Sequence, residues 1–253
     1  MRWAIDVGNT QTVVGLHDGT DWRATLRLST DIERTEDEFA GLVHSMLVSR
    51  GLSFEATNAI IASVVPSLDQ SLSHFCKKWL RVDGIFLTSC EKLGLPIEYE
   101  PKSAVGADRL ANALGALNLF NPPIIVVDFG TATTFDAIDR QGRYVGGAIL
   151  PGPVVAAKAL FDRTAKLPQI GMIRPAQAIG KSTVESLQSG IVLGYAYAIN
   201  GLANQMSDEL GGAKIIATGG LGEVFADICE KIDGYYPNLT LDGLLIGALR
   251  LEK

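Results

Sequence analysis

The sequence predicts an α/β fold of two similar half-domains, each a mixed sheet flanked by helices. Three observations predict it. Asp6-Val7-Gly8-Asn9-Thr10-Gln11-Thr12-Val13 and Asp128-Phe129-Gly130-Thr131-Ala132-Thr133-Thr134 each join two β-rich runs through a tight Asp-x-Gly-polar turn. The two segments stand about 122 positions apart in 253 residues, as an internal duplication would place them. Strands and helices alternate between and after them without a low-complexity linker. The boundary is expected at Asn121-Pro122-Pro123, giving half-domains 1–121 and 122–253.

The elements follow in order. Trp3 to Ile5 reads as a strand that turns at Gly8-Asn9 into a second β-rich run ending at Asp18-Gly19. Thr35-Glu36-Asp37-Glu38 is a capping box, opening a helix with Phe39, Leu42, Val43, Met46 and Leu47 on one face. Ala59 to Val65 reads as a buried strand ended by Pro66. Ser67, with Gln70 three residues on, is expected to cap a helix bearing Leu68, Leu72, Phe75, Cys76 and Trp79. Ile85 to Thr88 is a short strand, and Ala107 to Leu119 a helix through Leu110, Leu114 and Leu117.

The second half repeats the order. Ile124 to Val127 leads into the second turn, a strand runs to Gln141-Gly142, and a helix lies near Pro153 to Phe161 before an irregular stretch to Ile179. The longest helix is expected from the box Ser182-Thr183-Val184-Glu185 to the glycine stop Gly211-Gly212. Lys214 to Ala217 is a strand entering Gly219-Gly220-Leu221-Gly222. A helix to about Ile232 and a last one from Gly243 to Leu251 close the chain.

Composition narrows the function classes. A net charge of −6 without runs of like charge argues against a nucleic-acid face. No window holds some 18 consecutive apolar residues, and the N-terminus has no signal-like core, so no membrane association is expected. Cys76, Cys90 and Cys229 are odd in number and scattered, which fits free thiols in a reducing cytoplasm. His17, His44 and His74 are dispersed, without metal or triad spacing.

The turns carry the chemistry. A Gly bend after a strand gathers backbone N–H groups and hydroxyls that suit phosphate oxygens, and an adjoining carboxylate can hold a cation. Thr218-Gly219-Gly220, between a strand and a helix, lets the backbone approach a nucleotide closely. Two near-matches fail. Gly180-Lys181-Ser182 lacks the P-loop's first glycine, since Pro175 stands there, and Gly220-Leu221-Gly222 meets Phe225 where a dinucleotide motif needs glycine. In Gly106-Ala107-Asp108-Arg109, Asp108 falls in a first helical turn, where the dipole favours an anion. It reads either as an ordinary helix-start Asp or as a general base, with Arg109 holding an anionic substrate. Tyr99 lies just upstream, in a loop with Pro96 and Pro101.

Three such turns in two half-domains resemble the actin, hexokinase and Hsp70 superfamily of phosphotransferases, whose halves are ribonuclease H-like and whose ATP lies in the cleft between them. More narrowly, Asp6-Val7-Gly8-Asn9-Thr10, Ser63-Val64-Val65-Pro66, Gly106-Ala107-Asp108-Arg109, Asp128-Phe129-Gly130-Thr131-Ala132-Thr133, Gly146-Gly147-Ala148-Ile149, Gly180-Lys181-Ser182-Thr183 and Ala217-Thr218-Gly219-Gly220 resemble, in order, the motifs of bacterial type III pantothenate kinases. That family catalyses the first step of coenzyme A synthesis.

The resemblance implies a role for each matching residue. Asp6, Val7, Gly8, Asn9, Thr10, Gln11, Thr12 and Val13 would bind ATP phosphates, with Asp6 near Mg²⁺, and Thr131, Gly219 and Gly220 would also contact ATP. Asp108 would be the proton acceptor. Tyr99, Gly106, Ala107, Asp108, Arg109 and Thr183 would contact pantothenate, and Asp128 would hold a monovalent cation, K⁺ or ammonium. The resemblance also implies a homodimer, with the helix opened by Ser182 as an interface element; Gly190 and Gly194 there suit close approach, or packing inside one subunit. Two alternatives stay open: a non-catalytic accessory factor in gene regulation, and a related kinase acting on a sugar, polyphosphate or other small alcohol. The set Asp6, Asp108 and Asp128 favours an enzyme, because a scaffold has no need of three carboxylates at turns.

Overall fold

In the computed structural model, which describes residues 1–252, β1 (Arg2–Val7) turns at Gly8-Asn9 into β2 (Gln11–His17), and β2 turns at Asp18-Gly19 into β3 (Trp22–Ser29). Both pairings are antiparallel, and Asp6 stands opposite Val13. The Asp18 carboxylate closes the second turn by accepting from the Thr20 and Asp21 N–H groups at 2.8 and 2.9 Å. After α1 (Glu36–Val48), β4 (Asn58–Ser63) adds parallel to the other edge of β1, followed by α2 (Pro66–Phe75), β5 (Gly84–Phe86) and α3 (Ala107–Leu119). The sheet order is β3-β2-β1-β4-β5. Trp3, Ile5 and Val7 pack with Phe39, Val43, Leu47 and Phe75 of α1 and α2, so strand alternation sends Ala4 and Asp6 to the opposite face.

The caps show where local signals hold. Thr35 accepts from Glu38 N while the Glu38 carboxylate accepts from Thr35 N, the full reciprocal box. Helix α2 differs from the expectation. It opens at Pro66, not behind a Ser67 cap, because a proline at the first helical position gives up an N–H that has no helical partner anyway.

The second sheet repeats the first. It is built from β6 (Ile124–Phe129), β7 (Ala132–Ile138) and β8 (Tyr144–Pro151) in antiparallel sequence, with β9 (Lys214–Thr218) and β10 (Gly234–Tyr235) parallel beyond β6. Its order, β10-β9-β6-β7-β8, matches the first sheet strand for strand. Asp128 is the penultimate residue of β6, as Asp6 is of β1. The intervening helices are α4 (Pro153–Arg163), α5 (Thr183–Gln188), α6 (Gly194–Glu209) and α7 (Gly222–Ala226). A π-type turn at Ser189–Leu193 joins α5 to α6, so the long helix expected from Ser182 is present but under-wound at its middle. α7 stops six residues short of the expected Ile232. Asp233 pulls the chain back to the sheet: its N–H donates to Ile215 O at 2.7 Å and its carboxylate accepts from Ile215 N at 2.8 Å.

The chain divides into two compact units. One comprises Met1–Leu95, Tyr99–Asn118 and the residues from Leu239 on; the other comprises Pro96–Glu98 and Leu119–Asn238. The last helix, α8 (Leu239–Leu251), therefore belongs with the first sheet and not with residues 122–253 as the order of the chain suggested. It packs on β1 and β4, and Leu241 meets the glycine of β2 at Gly15, on the face that carries Ala4.

Candidate functional site

The first turn is held from one side by Thr30, the residue after β3. Its hydroxyl donates to Gly8 O at 2.7 Å and its N–H donates to Thr10 O at 2.9 Å. Gly8 N donates to Gln11 O at 3.0 Å, closing the bend, and a Cβ at Gly8 would stand 3.1 Å from that oxygen. The bend exposes Asn9, Thr10 and Gln11, while Val7 and Thr12 are buried beneath it and Asp6 and Val13 are partly buried. The Gln11 side chain accepts from Arg27 at 2.9 Å. A short, braced loop whose two carbonyls already have donors suits an anion better than a mobile one, since it needs no ordering on binding.

The second turn is braced from another direction. Gly130 N donates to Ala132 O at 3.0 Å, and Gly152 N, capping α4, donates to Thr131 O at 2.9 Å. A Cβ at Gly152 would lie 2.4 Å from Thr131 O, so only glycine allows this approach. Thr131 itself is exposed. The third turn meets the second at a carboxylate. Gly219 has φ +89°, and a Cβ on it would stand 2.4 Å from Asp128 Oδ1 and 2.6 Å from Phe129 N. Tyr235 donates its hydroxyl to Gly219 O at 3.1 Å, and Gly220 is exposed. The structure thus brings together Asp128 and Gly219, which are ninety-odd positions apart in sequence.

Asp108 lies in the first turn of α3, partly buried, with Arg109 buried behind it. Its Oδ1 accepts from Arg109 N at 2.8 Å, and a Cβ at Gly106 would stand 2.5 Å from the same oxygen. Burial raises the Asp108 pKa above the ordinary carboxylate value; the Arg109 N–H and the Arg109 charge oppose that rise without cancelling it. A carboxylate made more basic at a helix start is suited to take a proton. Ala107 opens the helix beside it, and Tyr99 is partly buried in the preceding loop. Thr183 stands exposed at the first position of α5, whose Ser182 cap accepts from Glu185 N at 3.2 Å. The second box is incomplete, since Glu185 accepts from Lys181 N instead of Ser182 N.

Sequence reading missed Thr30, Gly152 and Tyr235. A signal existed for the first of them: pairing β2 with β3 sets Gln11 opposite Ser29, which brings the next residue, Thr30, to the mouth of the turn.

The family model for type III pantothenate kinase matches residues 3–205. The chain belongs to that family. A type III pantothenate kinase from Desulfatibacillum aliphaticivorans is 44% identical over 249 residues, 97% of each chain. Among solved structures, a Campylobacter jejuni protein described as a candidate Baf family transcriptional activator aligns at TM-score 0.60 and 20% identity, over 99% of this chain and 98% of its own. The activator of 2-hydroxyisocaproyl-CoA dehydratase from Clostridium difficile, solved with ADPNP, aligns at TM-score 0.52 and 12% identity, over 98% and 92%. At such identities the likeness concerns the fold alone, and it bears out the expected α/β class with two mixed sheets flanked by helices.

Proposed function

We propose that this pantothenate kinase family member transfers the terminal phosphoryl group of ATP to the primary hydroxyl of pantothenate, opening coenzyme A biosynthesis. One observation carries the reading: a carboxylate of raised basicity, Asp108, sits at a helix start beside Arg109, within the residues 3–205 that the family model matches. Asp108 accepts the hydroxyl proton as the oxygen attacks in line, and Arg109, with Tyr99, Gly106 and Ala107, holds the substrate, whose carboxylate calls for a cation. Asp6, Gly8 and the residues through Val13 take the ATP phosphates; Thr131, Gly219 and Gly220 make further ATP contacts.

Two ions fit the residues present. Among the described residues no three His, Cys, Asp or Glu side chains form a ready-made metal cage. Mg²⁺ held by one carboxylate and by the phosphates of its nucleotide needs no such cage, and Asp6 fits that role. Gly219 packs so closely on Asp128 that a Cβ would stand 2.4 Å from Oδ1, and a carboxylate at a strand end between two such turns suits K⁺ or ammonium. When bound, the two cations neutralise charge on the phosphates.

The active species in this reading is a homodimer. The second unit exposes Ile149, Ile173, Ile179 and Tyr197 at 64, 64, 81 and 68%, together with Val154, Val155, Leu160 and Phe161. In this reading a second copy of the chain covers these apolar side chains. Gly190 and Gly194 are exposed within the same region, so a second copy's backbone can come close, and Thr183 reaches the partner's pantothenate. No helix of the described residues is long and apolar enough to cross a membrane, and the three cysteines are free thiols, which suits the cytoplasm.

The test is ADP formation with pantothenate and a panel of small alcohols and sugars. Turnover with pantothenate alone supports the reading. Turnover only with another alcohol replaces the substrate, and no turnover with any acceptor leaves the accessory role.

A further inference from the structure

Helix α3 presents one stripe to the last helix. Asp108, Ala111, Asn112 and Gly115 fall at i, i+3, i+4 and i+7, on one face. The lower three residues of that stripe meet α8 almost without intervening side chains. A Cβ at Gly115 would stand 2.5 Å from Leu239 O, and a Cβ at Gly243 would stand 1.8 Å from Ala111 O. Between these two contacts, Thr240 donates its hydroxyl to Asn112 Oδ1 at 2.7 Å, and Asn112 is fully buried.

Backbone contact at two glycines leaves α3 no room to move toward α8 or to roll against it. The Thr240–Asn112 bond adds direction. An apolar pair would bury as much surface, but this part-buried hydroxyl–amide bond forms in one register only, and slipping out of it breaks a hydrogen bond made to a fully buried side chain. Asn112 is one helical turn from Asp108, so whatever fixes Asn112 fixes the carboxylate above it.

We propose that Thr240 and Gly243 are positioning residues for Asp108: α8 sets the depth and rotation at which α3 holds the carboxylate. The inference rests on Asp108 as the base. It goes beyond that reading by giving the C-terminal helix a part in the reaction without touching substrate. A displacement of about 1 Å at a reacting group can cost on the order of 10²-fold in rate, which sets the scale of the effect.

The experiment compares Thr240→Val, Thr240→Ser, Gly243→Ala and Asp108→Asn by kcat, by KM for each substrate and by thermal melting. Thr240→Val, nearly isosteric, is expected to lower kcat about 10-fold with KM for ATP unchanged, and Gly243→Ala by up to about 10²-fold. Thr240→Ser, which restores the donor, is expected to return kcat to within about twofold of wild type. A Thr240→Val protein with wild-type kcat, or a Ser variant as impaired as the Val variant, overturns the proposal. Where Gly243→Ala fails to fold, the Val and Ser pair decides alone. Wild-type turnover in Asp108→Asn overturns the base assignment and this inference with it. An inactive Asp108→Asn beside fully active Thr240 variants overturns this inference only.

Discussion

Gly106 lies against the Asp108 carboxylate, close enough that a Cβ on it would stand 2.5 Å from Oδ1. Gly106 is not among the glycines with positive φ, so its backbone would accept alanine and the consequence falls on the carboxylate instead. Gly106→Ala is expected to lower kcat at least about 10-fold by moving Asp108, with a melting temperature near that of wild type. Steady-state kinetics beside a thermal melt check it. Full activity would show that the carboxylate finds its place without that gap.

Asp108→Asn is expected to cut turnover about 10²–10⁴-fold while leaving ATP binding intact. It also has a signature in stability. Burial raises the folded-state pKa of Asp108, so across the interval between the ordinary carboxylate value and the raised one the folded chain holds more protons than the unfolded one. The stability that this group permits is then full below the ordinary value and is lost as pH climbs through the raised one. Asparagine escapes that loss. The variant is expected to melt higher than wild type at neutral pH, with the gap closing as pH falls below the carboxylate range. Melting curves across pH test the direction, and a variant less stable than wild type at neutral pH contradicts it.

Activity is expected to respond to K⁺ or ammonium and poorly to Na⁺, with Asp128→Ala losing that selectivity. The reason is the carboxylate's setting, wedged beside Gly219 where no Cβ intrudes. Rates measured in matched chloride salts decide it. Equal rates in Na⁺ and K⁺, or an unaltered K⁺ response in Asp128→Ala, remove Asp128 from the cation's site.

Mixing Asp108→Asn protein with Thr183→Ala protein is expected to recover part of the activity that each lacks alone. Thr183 is exposed at a helix start, on the unit that also exposes Val154 and Phe161. If each pocket is completed by the other copy, a mixed dimer holds one site with both lesions and one with neither. Subunit exchange must be shown by labelled chains. A monomer in light scattering at assay concentration, or exchange without recovery, ends the shared-site reading.

How much of this was legible in the sequence depends on how far each cause reaches along the chain. The two hairpins announced themselves because alternation and the turns at Gly8 and Gly130 act within a few residues. The Thr35 box did the same through Glu38. At α2 two local signals stood side by side, and Pro66 opened the helix where Ser67 had been expected to cap it. The end of α7 was hidden because Asp233 is held by Ile215, on a strand of the sheet. The seat of α8 was hidden for the same reason, since it depends on Gly243 meeting Ala111, a contact that strand and helix periods do not encode. At the candidate site, Asp6, Asp108 and Asp128 could be picked out by their turns. Thr30, which braces the turn at Gly8, and Tyr235, which holds the turn at Gly219, needed the register of strands to appear.

Because α8 completes the first unit, that unit is interrupted by the whole of Leu119–Asn238. A ribosome therefore releases the second unit's entire sequence before it releases the segment that packs on β1 and β4 and meets Gly15. The first sheet must wait with that apolar face open to water, the condition in which nascent chains recruit chaperones or stick to one another. Substitutions that weaken α8 are therefore expected to appear first as poor yield of soluble protein, before any loss of specific activity in the molecules that do fold.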